Sequence, residues 1–204
     1  MLELIELEVV RGGDHVVRGL TVTVEPGRVF WVIGPNGAGK SSLLRVLAGL
    51  DRPRRGRVTR RGRTSDRMTY LHSEMRLPSA ATAGDWDRLS RLLLSPGAAT
   101  VTPLWPQVPR HRSVRRLSTG EQKRLVLDVA IRRPGSLILD EPFEHLSPDA
   151  KRLLGRHLKD RARRSVVVVA TNQAIHRAAD EGGLYLDAGE ATPIGPASDA
   201  EVAR

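Results

Sequence analysis

Gly34-Pro35-Asn36-Gly37-Ala38-Gly39-Lys40-Ser41 decides how this chain folds, because it satisfies G-x-x-x-x-G-K-[ST] between a run that reads as a strand and a run that reads as a helix. Upstream, Val29 to Ile33 is short and wholly apolar, the pattern of a strand buried on both faces. Downstream, Ser41 to Leu50 sets Leu43, Leu44, Leu47 and Leu50 at helical spacing before Asp51, Pro53 and Gly56 break it. A loop in this setting cradles nucleotide phosphates. Gly37 and Gly39 let backbone N–H groups turn inward, and the helix N-terminus adds positive potential. Lys40 is expected to reach the β- and γ-phosphates of ATP and Ser41 to ligand Mg²⁺, with Ser42 next on the helix in the same binding set.

Ser136-Leu137-Ile138-Leu139-Asp140-Glu141-Pro142 carries two acids at the end of a second apolar run. A buried strand delivers both to the carboxyl edge of a sheet, where the phosphate loop also lies. The expectation is that Asp140 holds the Mg²⁺ and Glu141 orients or deprotonates the attacking water. The pair therefore points to hydrolysis as well as binding.

The rest of the chain completes the pattern. Alternation through Leu20, Val22 and Val24, with turn signals at Gly12-Gly13 and Pro26-Gly27, predicts an antiparallel β meander in the first 30 residues. A short strand is expected at Met68 to Leu71, helices at Trp86 to Leu94, Glu121 to Arg132 and Pro148 to Arg161, and a last buried strand at Val166 to Ala170. Alternating strands and helices imply an α/β fold whose mostly parallel sheet is covered on both faces.

Leu117-Ser118-Thr119-Gly120-Glu121-Gln122, before a helix and shortly upstream of the carboxylate strand, resembles the signature of the ABC ATPases, usually written L-S-G-G-Q. The resemblance covers nearly the whole chain and implies one ABC ATPase domain over 1–204. Its core would take in 1–72 and 117–204, and a short helical lobe about 73–116. It further implies a head-to-tail dimer with a second ATPase subunit, in which Ser118, Gly120 and Glu121 of one chain face ATP held by the phosphate loop of the other. Membrane-spanning transporter subunits would be the partners, with the chain peripheral on the inner face of the cell membrane. Ser118 and Glu121 also fit an N-cap and capping box for the next helix.

Four positions depart from the family pattern. Asn172, in Thr171-Asn172-Gln173, stands at the place of a switch histidine; it can hydrogen-bond the γ-phosphate but carries neither proton nor charge. His72-Ser73-Glu74 replaces the loop in which a Gln reaches the metal. Ser147, in Glu144-His145-Leu146-Ser147, replaces an Asp in the dimer-contacting loop. Arg11 replaces the aromatic that stacks on adenine, and its guanidinium plane can stack there instead. The Arg11-Gly12 pair and the short chain are similar to the ATPases of cytochrome c maturation haem exporters.

Composition narrows the function further. In 204 residues there is no cysteine, which excludes disulfides and thiolate metal sites. The longest apolar stretches, Val29 to Ile33 and Val166 to Ala170, are far short of the ~20 residues of a membrane span. Met1 leads straight into alternating Leu2, Leu4 and Leu7, without the pattern of a signal peptide, so a cytoplasmic location is expected. The net charge of +10, with arginine crowded into Arg52 to Arg67 and Arg110 to Arg116, reads as a compositional bias, and no specific nucleic acid is expected. A soluble protein acting on nucleic acid or ribosomes, and a slow-hydrolysing ATP sensor built on Asn172 and Ser147, stay open as alternatives. The six histidines lack metal-site spacing. Trp31 and Trp86 read as packing residues, Trp105 as ambiguous, and Asp128 as an exposed helix position.

Overall fold

The computed structural model describes residues 1–61, 68–75, 77–93, 104–172 and 181–195. Leu94, Gln173, His176 and the arginines between 62 and 67 lie outside them.

Two sheets form. Strands β1 (Leu2–Arg11), β2 (Asp14–Val24) and β4 (Arg55–Arg60) make an antiparallel sheet in the order β2-β1-β4. The second sheet has six strands in the order β5-β6-β7-β3-β8-β9. Here β3 is Val29–Ile33, β5 Met68–Leu71, β6 Ser136–Asp140, β7 Val167–Thr171, β8 Gly183–Asp187 and β9 Glu190–Ile194. Its strands run parallel except β9, which returns antiparallel to β8.

The period-two alternation of β3 explains how this sheet is covered. Phe30 and Val32 face a core that holds Leu43, Leu44 and Leu47 of helix α1 (Lys40–Ala48) and the leucines of β1. Val29, Trp31 and Ile33 face the opposite core, filled from helices α3 (Thr119–Arg132) and α4 (Pro148–Ala162). Helix α2 (Ala83–Leu93) and the segment bearing Trp105 and Val108 extend that second core. Trp105, ambiguous in sequence, is 3% exposed and belongs to it.

One expectation is overturned. Asp128, read as an exposed helix position, is 3% exposed. Its Oδ1 accepts the Leu104 N–H at 2.7 Å and its Oδ2 accepts Arg132 Nη2 at 2.7 Å. The segment around Leu104 lies over this face of α3, which the helical period of α3 alone does not reveal.

Three strands lack a sequence signal. The β4 sequence RGRVTR is charged and lies at a sheet edge, where exposed arginines meet solvent. The last edge strand, β9, contains Pro193, which only an edge position tolerates. Its neighbour β8 opens on Gly183 and exposes Tyr185 and Asp187, so it lacks the continuous apolar run of β3, β6 and β7.

Candidate functional site

A cleft of about 1040 Å³ opens where β3 and β6 end, lined at one end by Arg11, Asp14 and Val16 and at the other by Thr119, Gln122 and Lys123. Parallel pairing of β6 with β7, and of β7 with β3, sets the carboxylates and the phosphate loop on the same sheet edge.

The loop needs its glycines for two different reasons. A Cβ on Gly34 would stand 2.2 Å from the Leu186 carbonyl oxygen, so β8 closes the space beside the loop. Gly39 has φ 92 and caps α1 without any side-chain hydrogen bond, and the first turn of α1 carries no acid. The helix N-terminus therefore keeps its N–H groups and positive potential for an anion. Lys40 folds back along the loop, donating from Nζ to Gly34 O at 2.8 Å and Pro35 O at 3.0 Å. The Ala38 N–H donates to Pro35 O at 3.3 Å, which closes the turn. Asn36, Gly37, Ser41 and Ser42 line the cleft.

Asp140 is 1% exposed, and its Oδ2 is buried without a hydrogen-bond partner. Glu141 follows with φ 46, which turns its carboxylate toward the loop until Oε1 lies 3.5 Å from Lys40 Nζ. Burial pushes the Glu141 carboxyl above the ordinary range, against the opposing pull of Lys40 and the Asn172 N–H. The orphaned Oδ2 of buried Asp140, with the partly buried Glu141 and the Ser41 hydroxyl lining the same cleft, makes a hard-oxygen donor set suited to Mg²⁺, which keeps water and phosphate ligands besides. Among the described residues no group of three or more His, Cys, Asp or Glu side chains gathers around a metal position.

Asn172, exposed at the end of β7, donates from Nδ2 to Asn36 Oδ1 at 3.4 Å. It thus spans from Glu141 to the phosphate loop. Arg11 is exposed and donates to Ser42 Oγ at 3.4 Å, at the cleft end away from the carboxylates. Ser73 and Glu74 also reach the cleft, after a turn in which the Glu74 N–H donates to His72 Nδ1 at 3.0 Å.

The signature residues behave differently. Ser118 caps α3, its Oγ accepting the Glu121 N–H at 3.2 Å, and the Glu121 carboxylate accepts from the Ser118 N–H and Oγ at 2.8 and 2.9 Å. The capping box forms in full, and it holds the Glu121 carboxyl below its usual range. Glu121, read with the nucleotide contacts, spends its carboxylate on its own helix. Ser118 and Gly120 are not among the residues lining the cleft of their own chain; Thr119, Gln122 and Lys123 of the same helix are. Ser147 caps α4, accepting the Ala150 N–H at 3.4 Å ahead of Pro148. A serine there keeps the capping that an aspartate would provide. Asp14, Val16, Met75 and Lys123 line the cleft without having been singled out from the sequence; for Lys123, its position in the signature helix, three after Gly120, was the available signal.

Residues 17–144 match the family described as ABC transporter. The chain is 36% identical over 171 residues to the cytochrome c biogenesis ATP-binding export protein CcmA of Novosphingobium aromaticivorans, covering 81% of this chain and 85% of that protein. It is 30% identical over 149 residues to the zinc import ATP-binding protein ZnuC of Pseudomonas putida, covering 71% and 57% respectively. A solved structure described as an ATP binding subunit of an ABC transporter superposes with a TM-score of 0.77 at 24% identity, covering 94% of this chain and 88% of the other. The fold alone is what that last likeness carries.

Proposed function

The chain belongs to the ABC transporter family and is an ATPase of it, and from that premise we propose that it is the Mg²⁺-dependent ATP-hydrolysing subunit that energises transport by membrane-spanning partners. The observation that carries the reading is the meeting of Lys40, Asp140 and Glu141 at the uncapped N-terminus of α1. The α1 N–H groups and Lys40 bind the phosphates, and Lys40 exchanges its carbonyl partners for them. Ser41 and Asp140 would hold Mg²⁺, which supplies charge neutralisation on the β- and γ-phosphates. Glu141 accepts the proton of the water that attacks the γ-phosphorus, the bond to the ADP oxygen breaks, and phosphate leaves. Asn172 donates its amide to the γ-phosphate, and Arg11 lies flat against the adenine at the far end.

In the same reading the chain works as a head-to-tail dimer, with Ser118 and Gly120 presented to the nucleotide of the other subunit. Their absence from the cleft of their own chain supports this. The dimer sits at the inner membrane face, on the cytoplasmic side, and no helix among the described residues is long and apolar enough to cross a membrane. The likeness to CcmA favours an export partner over an importer. Specific nucleic-acid binding has no part in it.

The test is ATP hydrolysis by the purified chain, with and without Mg²⁺, against protein concentration, alongside Glu141→Gln sized by light scattering in ATP. Expected are activity that rises faster than linearly, is lost on chelation, and falls about 10²–10⁴-fold in Glu141→Gln, which accumulates as an ATP-bound dimer. Binding of ATP with neither hydrolysis nor dimerisation would leave the sensor reading in its place.

A further inference from the structure

The turn that follows β6 is strained. Glu141 and His145 both take left-handed backbone, φ 46 and φ 61, which a side chain makes costly and which persists only where the surroundings hold it. Two holds come from the core sheet: the Glu141 N–H donates to Ala170 O at 3.0 Å, and Phe143 stacks on Trp31 at 6.1 Å between ring centroids. The third comes from α3. Residues three apart share a helix face, and the face bearing Gly120 and Lys123 lies on this turn. A Cβ on Gly120 would stand 2.7 Å from the His145 carbonyl oxygen, so the backbone of the signature helix touches the turn directly. One helical step further on, half-buried Lys123 lines the cleft wall with Asp140, Glu141, Glu144 and His145. Burial pulls the Lys123 ammonium below its ordinary pKa, and Glu144, then Asp140 and Glu141, pull it back toward the charged form.

We propose that Lys123 is a positioning residue that, together with Gly120, clamps the Glu141 to Leu146 turn against the head of α3 in the same chain. The helix whose N-terminus meets one nucleotide then sets the orientation of the carboxylate that serves the other. Only this second step rests on the dimer proposed above; the clamp is intramolecular. A lysine cation suits the task because it shares the cleft wall with three carboxylates and belongs to a helix already fixed by its capping box. Removing it leaves the α3 side of the strained turn to the Gly120 contact alone, and Glu141 gains freedom to leave the water it must deprotonate.

The experiment compares the full chain with Lys123→Met, which keeps the aliphatic stem, and Lys123→Arg, which restores the charge. Hydrogen exchange of the 141–147 amides is read beside ATP turnover and ATP dissociation constant, and exchange over 29–33 checks that the fold is intact. Lys123→Met is expected to exchange about tenfold faster in the turn alone. Its kcat should fall about tenfold with the ATP dissociation constant within about twofold of the parent, and Lys123→Arg should recover both. Unchanged exchange in the turn overturns the clamp. So does a loss of ATP affinity matching the loss in kcat/KM, which would make Lys123 a direct ligand of the nucleotide, or an arginine variant as impaired as the methionine one. A parent chain that hydrolyses no ATP at any concentration sinks the dimeric ATPase reading instead, and the exchange comparison still decides the clamp.

Discussion

Asn172 touches both halves of the hydrolytic site, through its amide to Asn36 and its N–H to Glu141, yet it can neither take up nor release a proton. In the proposed mechanism the proton of the attacking water therefore goes to Glu141 alone. Asn172→Ala is expected to lower kcat by about 10- to 100-fold with ATP binding nearly kept, measured by steady-state turnover and nucleotide titration, because it deletes one positioned donor at the γ-phosphate. Asn172→His should add to the pH profile of kcat a limb near pH ~6.5 that the parent lacks. At this scale Lys40, Asp140 and Glu141 were legible because their spacing within short motifs fixes what they can do. Asp128 and Lys123 were not, since burial of a charge and the neighbours of a helix face depend on segments distant in the chain.

Helix α3 shows how one element serves two ends. Its N-terminus is closed by Ser118 and Glu121, while its far end carries Arg132, which is 7% exposed and donates to Asp128 at 2.7 Å and to Asp87 of α2 at 3.2 Å. This network fastens α2 and the Leu104 segment to the helix that bears the signature. Asp128→Ala leaves the Arg132 guanidinium buried with fewer partners and is expected to cost about 3–5 kcal/mol in urea unfolding; replacing Asp128 and Arg132 together by leucine should cost much less. Strand β8 is fixed as tightly to the phosphate loop. Gly34→Ala drives a methyl group into the Leu186 carbonyl, a backbone atom that cannot swing aside, so ATP affinity should fall by at least about tenfold in calorimetric titration as the loop is displaced. The helices were readable from their 3.6-residue period, and β3, β6 and β7 from their apolar runs. The edge strands β4 and β9 gave no such signal, because the arginines of β4 and Pro193 of β9 break an apolar pattern that an edge strand can do without.

As a whole molecule, the chain carries a cleft with a phosphate loop and a carboxylate pair, while Ser118 and Gly120 at the capped N-terminus of its signature helix are not among the residues lining it. Two chains are needed to close one site in the proposed arrangement. The ATP-bound Glu141→Gln dimer is accordingly expected to dissociate in sedimentation velocity when Ser118→Arg is added, while ATP binding to the monomer stays within about twofold. The net charge is +10, and among the described residues several arginines face acids, as in Arg45 with Asp51 at 2.7 Å and Arg61 with Glu3 at 3.2 Å. Any binding to nucleic acid should therefore be weak and fall by about 10³-fold or more between 50 and 200 mM salt.

The sequence by itself determined the α/β class, the phosphate loop, the carboxylate pair and the order of motifs, because each rests on residue type and spacing within a window shorter than a strand and a helix. Only the tertiary structure decided that Asp128 is buried, that Glu121 is committed to its own helix, that Ser147 is a helix cap, that Gly120 lies against the turn bearing Glu141 and that Lys123 lines the cleft with it. The two caps are local, but residue type leaves more than one role open there, while the burial of Asp128 and the contact of Gly120 with the turn beyond β6 join distant segments, and a local pattern holds no information about which distant backbone will come to rest against it.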